Sequence, residues 1–132
     1  MPDKAERPTD PLRMGLKSDA ADIRSEMVGD VAVFVIGNEN LYPKQAAEVT
    51  AVVQAYISPV EHPNVLIDLS AVEFLCSAFI GQLVDLHKQA TEQSGSLKVC
   101  VTGGHAAYTM KLVKLNKLLD MGGDREKLIA SF

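Results

Sequence analysis

The chain has 132 residues, a formal net charge of −4 and 47% hydrophobic residues, which suits a single soluble domain with its own core. The acidic balance supplies no basic footprint for nucleic acid. No apolar run approaches the roughly 20 residues a membrane span needs, and no signal-peptide core opens the chain, so a cytoplasmic protein without membrane insertion is expected.

Residues 1–21 mix Asp, Lys, Glu and Arg with Pro2, Pro8 and Pro11. They carry no apolar period and read as a flexible tail before a domain over 22–132. Ile23 to Val28 and the β-prone run Val31 to Ile36 flank Gly29-Asp30, the pattern of a hairpin. Pro43 suits the first turn of a helix. Ala46, Val49, Val53, Tyr56 and Ile57 then recur at helical spacing, with Pro59 and Pro63 closing the segment.

Val65-Leu66-Ile67-Asp68-Leu69 is a solid apolar run, as expected of a strand covered on both faces. A helix is predicted from Ser77 to about Ser94, with Phe79, Leu83, Leu86 and Ala90 on its inner stripe and Gly95 just past its end. Leu97 to Val101 reads as a strand, and Gly103-Gly104 as a turn before a helix over about 106–115. Leu118 to Met121 reads as an edge strand, followed by a last helix over 125–131. Strands alternating with helices imply an α/β fold. Its central sheet is mixed but mostly parallel, has about five strands, and carries helices mainly on one side.

The strand at Val65 and the junction Phe74-Leu75-Cys76-Ser77-Ala78-Phe79-Ile80-Gly81 carry the most specific signal. With the opening hairpin and the segments Ser94 to Val99 and Lys114 to Leu119, the chain resembles the STAS family of sulfate transporter and anti-sigma factor antagonist domains. The resemblance covers about Ile23 to the C-terminus. In antagonists the junction typically reads Asp-Ser-Ser/Thr-Gly-Leu-Gly. By position its phosphorylated serine falls on Ser77 and its closing glycine on Gly81, while Cys76, Ala78 and Phe79 replace an acid, a Ser/Thr and a glycine.

The resemblance implies a non-enzymatic regulator that binds an anti-sigma factor, often a serine kinase, through Cys76, Ser77, Ala78, Phe79 and Gly81. Phosphorylation of Ser77 would block that contact, and a cognate phosphatase would restore it. The alternative is a non-switching scaffold or adaptor subunit of a stress-signalling complex or lipid transporter, which the altered junction would suit.

Local chemistry leaves other readings open. Ser77 also suits a plain helix N-cap. Phe79 is an apolar anchor if it faces outward and core filler if it faces inward, where its spacing places it. Cys76 and Cys100 form no disulfide framework and read as small buried hydrophobes. His62, His87 and His105 have no metal-ligand spacing. No cofactor, metal or oligomer is required. Asp68, inside a buried strand, is expected to meet loop N–H groups. Lys111, Lys114 and Lys117 form a basic stripe that reads as a solvated face.

Overall fold

The computed structural model describes residues 20–132, and the tail predicted from composition lies outside them up to residue 19. Two residues assigned to that tail are tied to the domain. The Asn38 side chain donates to the Ala20 carbonyl at 3.0 Å, and the Ala21 N–H donates to Glu48 at 2.8 Å.

β1 (Ile23–Val28) and β2 (Val31–Ile36) form the predicted hairpin, turning at Gly29 with φ 62°. β3 (Asn40–Leu41) leads into α1 (Pro43–Ile57), and β4 (Asn64–Asp68) follows. β5 (Phe74–Leu75) leads into α2 (Ser77–Glu92), followed by β6 (Ser96–Cys100). α3 (Gly104–Leu112), a 3₁₀ turn at Leu115–Lys117, β7 (Asp120–Gly122) and α4 (Arg125–Ala130) complete the order.

The main sheet has the order β1-β2-β4-β6-β7, with one antiparallel pair and the rest parallel. A second, two-stranded sheet pairs β3 with β5 in parallel. Sequence periodicity misses this pair because two residues are too few to show a period.

The period-2 alternation of the central strands divides the interior. Ala32, Phe34, Val65, Ile67 and Val99 join the buried faces of α1, α2 and α3 in the main core. Val31, Val33, Leu66 and Cys100 face the other way, toward Leu128 of α4. Helices therefore lie mainly on one side, with one short helix on the other.

The inner stripe of α2 is the predicted one: Phe79, Leu83, Leu86 and Ala90 are all buried. Burying a side chain such as Phe79 or Leu83 contributes about 1.5–3 kcal/mol relative to leaving it in water. Opposite them, α1 buries Val49, Val53 and Ile57, and Thr50 donates to Gln82 at 2.8 Å between the two helices.

The end of α2 corrects one expectation. The left-handed residue is Ser94, at φ 63°, not Gly95. The Gly95 N–H closes onto the Ala90 carbonyl at 2.8 Å and the Ser94 N–H onto Thr91 at 3.0 Å, the bond pair of a Schellman motif. Glycine is required one residue later because a Cβ there would overlap the Pro63 backbone.

The polar residues of the central strands have distant partners. The Asp68 carboxylate accepts the Ser70 N–H at 2.9 Å and the Ser70 hydroxyl, the loop contact expected of it. Its other oxygen lies 3.7 Å from Arg125 of α4, which also reaches Glu26 at 3.2 Å. Lys98 is buried on the same side. It donates to the Ser131 hydroxyl at 2.6 Å, pairs with Asp120 at 3.3 Å and lies over the Phe132 ring. Burial pushes the Cys100 thiol above its ordinary value, against the lowering effect of the Ser70 hydroxyl.

Candidate functional site at the start of α2

The small β3–β5 ladder builds the site. Leu41 pairs with Leu75 in register, so the chains leaving them, at Tyr42 and Cys76, begin α1 and α2 side by side. The Phe74 N–H and the Cys76 N–H donate to the carbonyls of Glu39 and Leu41, at 3.1 and 3.0 Å. Cys76 is thus held in strand geometry, with φ −77° and ψ 157°, and is itself the N-cap.

This corrects the reading of Ser77 as a cap. The ladder bond keeps Cys76 extended, so the chain turns helical only at Ser77. Ser77 is the first helical residue and is exposed. Its hydroxyl makes no hydrogen bond among the described residues, and neither do the N–H groups of Ser77 and Ala78. Two orphan donors and the positive end of a 16-residue helix therefore surround an exposed hydroxyl.

The five junction residues separate by side. Ser77, Ala78 and Gly81 are exposed, and Cys76 is half-buried. A Cβ added at Gly81 would meet nothing within 4 Å. Phe79 is 0% exposed and belongs to the main core. It is therefore removed from the predicted contact surface, because its helical phase with Leu83 and Leu86 turns it inward.

Three aromatic side chains that sequence reasoning did not assign to the site border it instead. Tyr42 and Phe74 are 53% and 36% exposed, with ring centroids 5.6 Å apart. Phe74 also stacks on His105 at 5.7 Å with an interplanar angle of 27°. Gly103 and Gly104, at φ 136° and 73°, open α3 and carry His105 to that position. The available signals were period 2 around buried Leu75, which turns Phe74 the other way, and the position of Tyr42 just before a helix-starting proline.

Among the described residues no group of three or more His, Cys, Asp or Glu side chains is placed to hold a metal ion, and no helix is long and apolar enough to cross a membrane. The surface offers recognition groups: an exposed hydroxyl, orphan N–H donors, small residues that permit close approach, and aromatic rings.

Comparison with known families and structures agrees with this architecture. Residues 22–128 match the STAS domain, and the chain belongs to that family. No curated protein matches it. Among solved structures, an anti-sigma factor antagonist from Mycobacterium paratuberculosis superposes with a TM-score of 0.76 at 21% identity, over 86% of this chain and 94% of that one. A STAS domain protein from Planctomyces limnophilus gives 0.69 at 25% identity, over 85% and 98%. The anti-sigma factor antagonist SpoIIAA, in its unphosphorylated form, gives 0.69 at 14% identity, over 83% and 95%.

Proposed function

We propose that this protein is a regulator of the anti-sigma factor antagonist type. It binds an anti-sigma factor or serine protein kinase through the surface around Ser77, and phosphorylation of Ser77 blocks that contact until a phosphatase removes the group. The observation that carries the reading is the exposed, unbonded Ser77 hydroxyl at the start of α2. The similar folds of anti-sigma factor antagonists, one of them solved in its unphosphorylated form, support it.

The physics of the switch is simple. A phosphoserine brings about −1.5 to −2 charges at neutral pH. On its own helix the anion is tolerated, since dipole and N–H groups favour it there. Inside a docked interface the same anion has to be desolvated, which costs several kcal/mol unless the partner supplies a cation. A loss of about 3 kcal/mol weakens binding roughly a hundredfold. Association is then controlled without a change of fold.

The replacement of polar neighbours by Cys76 and Ala78 favours a second reading, a constitutive adaptor contact at the same surface. Affinity purification from native cells, with mass spectrometry of bound proteins and of Ser77, separates the two. The switch predicts a serine kinase recovered with the unmodified protein, and phosphate on Ser77 in the unbound pool. Phosphate on Ser77 of the protein recovered with the kinase or anti-sigma factor, or an unmodified Ser77 under every growth condition, contradicts it.

A further inference from the structure

Four of the eight large hydrophobic side chains exposed among the described residues fall between 108 and 118: Tyr108 and Leu112, each 63% exposed, Val113 and Leu118. Tyr108 and Leu112 are one turn apart on α3 and share a face, opposite the buried Ala106 and Met110. Lys111, Lys114 and Lys117 interleave with them and are exposed. No Asp or Glu occurs from Gly104 to Leu119, in a chain whose net charge is −4. Exposed apolar side chains gathered in one place mark an interaction surface. The Phe74–His105 stack ties this segment to β5, the strand that leads into Ser77 at the start of α2.

We propose that the contact face of Ser77 continues along the exposed side of α3, and that it takes a protein surface with an apolar ridge bordered by Asp and Glu. The ridge covers Tyr108 and Leu112, and the carboxylates meet Lys111 and Lys114. The proposal rests on the reading of Ser77 as part of a partner face. An anionic bilayer fits less well, because exposed Glu39 and Glu73 flank Phe74 at the other end of the face and would be pressed against like charge. A partner with carboxylates only at the lysine end satisfies both.

The test places a benzoylphenylalanine photo-crosslinker at position 108 of the full chain in native cells, with a second at the exposed position 55 of α1 as control. Position 108 is expected to capture a protein whose cross-linked peptide carries apolar residues bordered by Asp or Glu. Lys111→Glu with Lys114→Glu should reduce that capture roughly tenfold, while Lys88→Glu leaves it unchanged. If the double reversal lowers the melting temperature, Lys111→Gln with Lys114→Gln asks the same question without added repulsion. Capture of a second copy of this chain alone, of a peptide without acidic residues, or capture indifferent to both lysine pairs overturns the proposal. So does flotation of the purified protein with phosphatidylglycerol vesicles. Ser77→Asp in the same assay separates the two readings: capture lost with the lysines but kept in Ser77→Asp leaves the face standing and removes the switch.

Discussion

Phe79 and Ser77 are two residues apart in the first turn of α2 and have opposite surroundings. Phe79 is sealed in the core beneath the helix, while Ser77 stands in solvent with no hydrogen bond among the described residues. The starts of α1 and α4 differ from this one. At α1 the Gln45 side chain accepts the Tyr42 N–H at 3.1 Å, and at α4 the Asp124 side chain accepts the Lys127 N–H at 3.2 Å. The start of α3 has no side-chain cap, and neither has that of α2. The inner side of this turn therefore holds the fold, and the outer side is left with unspent hydrogen-bonding capacity where an anion is tolerated.

The sharpest way to break that contrast is to truncate the inner residue. Phe79→Ala should lower unfolding stability by about 3–5 kcal/mol, read as a shift in urea midpoint. Gly95→Ala should cost about 1–3 kcal/mol through its overlap with Pro63. At the outer residues the sign reverses. Gly81→Ala fills open space in a helix and should stabilise the protein by roughly 0.5–1 kcal/mol. If it also weakens partner binding, the glycine serves the approach of the partner and not the fold. Ser77→Ala should change stability by less than about 0.5 kcal/mol.

A smaller effect probes the opposite side of the sheet. The raised thiol of buried Cys100 contributes stability that is whole below its ordinary value of 9.0 and is lost as pH rises through the higher folded-state value. Thermal melts at increasing pH should fall more steeply for the native chain than for Cys100→Ala.

Much of this arrangement was legible because it follows local periods. The α2 stripe, the hairpin and the buried run at Val65 each repeat at the spacing of their own element. The remainder depends on contacts between distant residues. Lys98 in a buried strand looks costly until Ser131 and Asp120 are in place. Asp68 finds Arg125 only when α4 folds across the sheet. The N-cap lies at Cys76, not Ser77, because of a ladder bond to Leu41, and no local signal encodes a pairing two residues long. The aromatic border was unread for the same reason, since Tyr42, Phe74 and His105 meet only through that ladder and the turn at Gly103.

The central claim is tested most directly by titrating the proposed partner, an anti-sigma factor or serine kinase recovered by affinity purification, with the native protein and with Ser77→Asp, alongside thermal melts of both. An acidic residue in the first turn suits the helix dipole, so the melting temperature should hold or rise slightly, while affinity falls roughly a hundredfold. Equal affinity for the two proteins, with both folded, would contradict the account.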